Sequence, residues 1–313
     1  MFDYKMVTAL NVEILQDFQT FLGEININSE KDITKENIRD YIIARRTQAV
    51  DLDKILIVIA EYFLAVHNDY LANEAGIHTE AGWHFENIAA LTKRELGEDI
   101  WCQVFGNIIM PKTGWTLDEI SDFTRQMHKN LNTVAPQKQI ENMLQKYAHG
   151  YEQSFDDTLS KIVETQGIDG LINHLNDNHI RELEKCQESG VLMDCAVVDD
   201  DVINFYKMNP LNYRIGNKLI NKQGPNLTHK FLHETDEKMK RYYGCHCPIK
   251  KQSILQNEGG LSHSLCYCCF GHSKKQFEAA FGRAITGRVI KTRMDEGCLE
   301  CVFEIDIPDE FLK

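Results

Sequence analysis

The hydrophobic period changes along the chain, and this change limits the fold more than any other feature of the sequence. From Leu52 to Tyr70, the residues Leu52, Ile55, Leu56, Ile59, Tyr62, Phe63 and Val66 recur at three- and four-residue steps, which places them on one stripe of a helix. At the far end, Leu299, Cys301, Phe303, Ile305 and Ile307 alternate with Glu300, Val302, Glu304 and Asp306, the period of a half-buried strand with one apolar and one mostly acidic face. A similar run covers Ala284–Thr292, and Asp295-Glu296-Gly297 between the two supplies hairpin turn chemistry. The expected class is α+β: a helical N-terminal half, residues 1–150, and a second domain, 151–313, with an antiparallel sheet covered by helices.

Further helices are expected over Val12–Leu22, Ile38–Arg46, Ala81–Leu96, Gln137–Tyr147 and Phe155–Glu164. Another starts at Thr116, which has capping-box spacing to Glu119 and is followed by Ile120, Phe123, Met127 and Leu131. Gly167-Ile168-Asp169-Gly170 reads as a break before a helix from Leu171 to about Gln187, which Gly190 ends.

Ten cysteines are present, and seven of them fall in the last 70 residues. The opening residues show no basic region followed by an apolar run, and the longest apolar stretch, residues 55–60, is too short to span a bilayer. A cytoplasmic protein without a membrane anchor is therefore expected, where thiols stay reduced and serve as ligands or nucleophiles rather than as a disulfide framework. The net charge of −13 argues against nucleic acid as a partner. Between Asp236 and Arg293, however, eleven Lys and Arg stand against four acids, which suggests a solvated basic face or attraction of an anionic small molecule. A homo-oligomer is compatible with the chain.

Three readings of the cysteines stay open. In the first, Cys245, Cys247, Cys266 and Cys268 supply four thiolates to a metal, zinc before an iron–sulfur cluster, although their spacing is Cys-x-Cys rather than the usual Cys-x-x-Cys. In the second, a thiol is reactive: Cys266, Cys268 or Cys269 attacks while His246 or His272 acts as base, with Lys250, Lys274 and Lys275 as local positive charge. In the third, the cysteines are small buried hydrophobes. Tyr242, Tyr243, Phe270 and Phe277 are the expected lining of an adjacent ligand pocket. Glycine-rich phosphate loops, Gly-x-Ser-x-Gly elbows and His-Glu-x-x-His helices do not occur.

The segments Arg241-Tyr242-Tyr243-Gly244-Cys245-His246-Cys247-Pro248, Leu265-Cys266-Tyr267-Cys268-Cys269-Phe270-Gly271-His272 and Gly297-Cys298-Leu299-Glu300-Cys301 carry a resemblance over the last third of the chain. That third resembles uncharacterised bacterial proteins related to the 4-vinyl reductase domain and to L-2-amino-thiazoline-4-carboxylic acid hydrolase-like proteins. The resemblance implies a sandwich-like fold, shared with transport-protein-particle subunits, around an apolar small-molecule pocket. It also implies a metal- or ligand-site signature at Cys245, Cys247, Cys266, Cys268 and Cys301. Cys269, in place of a small residue, and Gln276-Phe277, in place of Pro-Trp, depart from the pattern. The leading expectation is a small-molecule-binding or sensing protein with a metal or thiol centre; the alternative is a cysteine-dependent hydrolase of a small cyclic amide or thioester-like bond.

Overall fold

The structure, a computed structural model, describes residues 9–48, 50–146, 148, 156–190, 193, 196–256, 261 and 263–312. The N-terminal half is helical, as the apolar stripes require. It comprises α1 (Ala9–Glu24), α2 (Lys35–Arg45), α3 (Leu52–Ala65), α4 (Asp69–Leu96), α5 (Glu98–Phe105), α6 (Leu117–Val134) and α7 (Gln137–Leu144). The stripe that begins at Leu52 does not run through to Tyr70. Asn68 accepts the Leu71 N–H as the N-cap of α4, and His67 takes a left-handed φ of 57°, so the chain turns between two helices. The capping box at Thr116 and Glu119 is present at the start of α6.

The helix α8 (Asp157–Ser189) continues through the glycine pair and kinks at Gly167, where φ is 70°, before Gly190 ends it in a left-handed conformation. It leads to α9 (Asp200–Met208), β1 (Asn212–Ile215), β2 (Lys218–Gln223), α10 (Thr228–His233), α11 (Glu237–Gly244), α12 (Lys251–Leu255), α13 (Tyr267–Ser273), α14 (Lys275–Phe281), β3 (Gly287–Lys291) and β4 (Cys301–Asp306). The four strands form one antiparallel sheet in the order β1-β2-β4-β3. The fold is thus α+β, with a helical first half and an antiparallel sheet with helices in the second.

Two main cores result. Leu15, Phe18, Tyr41, Leu56, Ile59 and Phe63 fill the first, which extends to Ala75 on α4. The second takes up α4 from Ile77 and includes Phe85, Met127, Phe270, Phe277 and Phe303, so residues on both sides of position 150 share it. Phe270 of α13 meets Phe303 of β4 with ring centroids 5.6 Å apart. No helix among the described residues is long and apolar enough to cross a membrane.

The basic segment is only partly a solvated face. Lys250, Lys251, Lys274 and Arg293 are 5% exposed or less. Arg288 pairs across the sheet with Glu304 at 2.9 Å, and Lys291 pairs with Glu300, so much of the local excess of cations answers the acidic face of β4.

Candidate functional site

Asp236 caps α11 through the Met239 N–H at 2.8 Å, and the helix ends at Gly244. A Cβ at Gly244 would lie 2.4 Å from Arg293 Nε, so the glycine lets that buried guanidinium cross the chain. Arg293 in turn donates to the carbonyls of Leu299, at 2.9 Å, and Gln223, at 3.0 Å. This clamp ties the 245–250 loop, the end of β2 and the start of β4 together.

The sulfurs meet there. Cys245, Cys266, Cys269 and Cys301 line a closed chamber of about 10 Å³ with Gln223, His246, Lys250, Arg293, Met294 and Phe303. Lys250 Nζ reaches the Leu265 carbonyl at 3.1 Å, Cys266 Sγ at 3.2 Å and Cys269 Sγ at 3.9 Å. Cys269 also hydrogen-bonds to the Cys247 sulfur. Arg293 N–H points at Cys301 Sγ at 3.5 Å. Cys268 is not part of this group. It lies on another face of α13, with its sulfur 3.9 Å from His84 Nε2, so Cys245, Cys247, Cys266 and Cys268 do not share one centre. Among the described residues no group of three or more His, Cys, Asp or Glu side chains is placed to hold a metal ion.

Charge in the chamber is collective. Burial disfavours the Lys250 ammonium, whereas anionic sulfur at Cys266, Cys269, Cys247 and Cys245 favours it and holds it above its usual range. Burial likewise pushes the Cys245 thiol up to about 12 and the Cys266 thiol up to about 11, with Lys250 acting in the opposite sense. The hydrogen bond to Cys247, then burial, keeps the Cys269 proton in place. The ammonium and a thiolate beside it therefore stand or fall together, because either charge alone is costly in a dry interior.

This raised thiol pKa has a consequence for stability. Above pH 9.0, the ordinary cysteine value, the unfolded chain releases thiol protons that the folded chain still holds at Cys266 up to about 11. Stability should thus be complete below pH 9.0 and fall as pH rises toward 11. Urea midpoints measured across that window under reducing conditions check this, and Cys266→Ala should flatten the decline.

His246 is half-buried, and its Nε2–H donates to the Gly224 carbonyl at 2.9 Å, which leaves Nδ1 as the acceptor. Burial lowers its pKa to about 4, so the ring is neutral. His272 is exposed. Both line an open cleft of about 210 Å³ between α8, α9, β2 and the 224–228 segment. Among the described residues no carboxylate lines that cleft, whereas Lys222 and His179 do, and the buried Asn221 Oδ1 finds no hydrogen-bond partner among them. Gln223 and His246 face both the cleft and the sulfur chamber.

The four aromatic residues sit elsewhere. Phe270 and Phe277 are fully buried in the core. Tyr242 donates to Glu74 Oε1 at 2.6 Å beneath Lys251, whose Nζ lies 4.4 Å from the ring centroid. Tyr243 packs edge-on against Tyr70 at 5.7 Å. Of the other cysteines, Cys102 is exposed, Cys186 half-buried, Cys298 donates to the Glu300 carbonyl at 3.2 Å, and Cys195 lies outside the described residues.

No family model, curated protein or solved structure matches the chain. The chemistry of the site accordingly rests on its own geometry.

Proposed function

We propose that the protein binds a small polar or anionic molecule in the open cleft and acts as a sensor through the thiol centre behind it. One observation carries this reading: Lys250 Nζ stands 3.2 Å from Cys266 Sγ inside a chamber whose Gln223 and His246 walls also face the cleft. An ammonium in that place favours thiolate, the reactive form of sulfur. A volume of about 10 Å³ is no more than a single water needs, so a substrate amide or thioester has no room beside the sulfurs. This favours sensing over the hydrolase. It also favours a thiol centre over zinc, because a positive group among the sulfurs opposes a cation.

The sensing step is a two-electron oxidation by a hydroperoxide. The Cys269 sulfur attacks one peroxide oxygen and passes the proton it holds at rest to the departing oxygen, giving a sulfenic acid and water. The Cys247 thiol then displaces a second water and forms the disulfide, so that two thiols and one hydrogen peroxide give one disulfide and two waters. Treating the folded protein with hydrogen peroxide and digesting it without reductant should yield a crosslinked peptide joining the 245–247 and 266–269 stretches. Sulfurs that stay reduced in the folded protein overturn the reading. So does about one tightly held zinc per purified chain, which would favour the metal centre instead.

A further inference from the structure

A second cavity, of about 80 Å³, opens between α2, α4, α6 and α12 and is separate from the sulfur chamber. Lys35, Glu36, Arg39, Glu74, His78, Asp118 and Gln252 supply its polar walls. Glu74 is 1% exposed. Its Oε1 accepts the Tyr242 hydroxyl at 2.6 Å and faces Lys251 Nζ at 3.9 Å, but the buried Oε2 has no hydrogen-bond partner among the described residues. Gln252 repeats the pattern: Nε2 donates to Asp118 Oδ1 at 2.8 Å, while the buried Oε1 has no partner among the described residues. His78 is 3% exposed, and its Nδ1–H donates to the Trp115 carbonyl at 2.9 Å, so Nε2 is left as an acceptor.

The unmet groups are thus all acceptors. A buried acceptor without a donor is costly, and two in one cavity wall point to a molecule that brings donors. The lining carries three carboxylates, Glu36, Glu74 and Asp118, and two cations, Lys35 and Arg39, with Lys251 behind Glu74 on the side of Oε1. Arg39 is also engaged by Asp40 at 2.9 Å. A primary ammonium has three donors in a compact head, which matches Glu74 Oε2, Gln252 Oε1 and His78 Nε2 in number. A bare metal ion fits less well, because no group of metal-ligating side chains among the described residues is placed to hold one. We propose that this cavity is a binding site for a small protonated primary amine, held by Glu74 Oε2, Gln252 Oε1 and His78 Nε2.

Ethylammonium chloride is the probe. Titration calorimetry on the full chain should show saturable binding of about one ion per chain, strongest at low salt. Potassium chloride and sodium acetate should give no saturable heat. Glu74→Gln should weaken binding about tenfold or more through loss of a charge-assisted hydrogen bond. Because Glu74 also supports Tyr242 and Lys251, Gln252→Met is the second variant; it removes one acceptor and the bond to Asp118, which Gln256 still reaches, and should weaken binding severalfold in a protein that stays folded. Absence of saturable ethylammonium binding, equal binding by potassium, or wild-type affinity in a folded Gln252→Met protein each overturns the proposal.

Discussion

Lys250→Met slows hydrogen peroxide oxidation of the chamber sulfurs about tenfold or more near neutral pH, and does so without removing a sulfur. In the unaltered protein the buried ammonium lies 3.2 Å from Cys266 Sγ and 3.9 Å from Cys269 Sγ and opposes the effect of burial on both thiols. Methionine keeps the length and apolar character of the lysine stem, so packing is largely preserved, but it supplies no cation. Each unit by which a thiol pKa rises lowers its thiolate fraction tenfold. The slowing should therefore shrink as pH approaches the thiol range, since both proteins then hold thiolate. Stopped-flow oxidation of folded wild type and Lys250→Met across that range measures it. An equal rate in both proteins would show that the ammonium does not govern sulfur reactivity. Full loss of reactivity at every pH would instead indicate that the chamber itself had collapsed.

The importance of Lys250 could not be read from the sequence, and the reason is physical. A lysine in a cysteine-rich stretch is expected to keep its ammonium in water, and the chain encodes burial of Lys250 and Lys251 only through distant residues: the sulfurs and the Leu265 carbonyl for one, Glu74, Asn73 and Tyr242 for the other. Local features were easier to see. The Thr116–Glu119 capping box and the alternation of β4 depend on neighbours within a few residues; the box is present, and the alternation holds from Phe303 on, while Val302 is buried as well. The hairpin of β1 and β2 leaves little strand signal in the sequence, because Asn212–Ile215 and Lys218–Gln223 are short and alternate weakly.

The arrangement of the sulfurs lies between these cases. Cys266 immediately precedes α13 and Cys269 lies within it, three residues on and therefore on the same face, whereas Cys268 is turned away toward His84. Reading Cys266-Tyr267-Cys268-Cys269 as a helix start would have paired Cys266 with Cys269 and separated Cys268. Grouping by sequence interval alone, as a Cys-x-Cys motif invites, pairs Cys266 with Cys268. Cys301 shows the converse: its place on the apolar face of β4 was legible, but the same face is also the wall of the chamber.

Lys274→Met is expected to destabilise the fold by about 3–5 kcal/mol, as loss of one partner of a buried ion pair does. Lys274 Nζ and Glu278 Oε1 lie 2.8 Å apart with side chains only 6% and 1% exposed. The pair also anchors the segment before β3: Lys274 donates to the Ile285 carbonyl at 2.9 Å, and Glu278 accepts the Ile285 N–H at 3.0 Å. Removing the cation alone leaves a carboxylate in the core without its charge partner. The double variant Lys274→Met/Glu278→Met removes both charges at similar volume and should recover much of the loss. Recovery should stop about 1–3 kcal/mol short of wild type, because the Ile285 N–H then has no acceptor in the interior. Urea unfolding of the two single variants and the double variant closes the cycle. A single-variant loss below about 1 kcal/mol would mean that water reaches the pair, and that α13 and α14 are held to the sheet by Phe270 and Phe277 rather than by this charge.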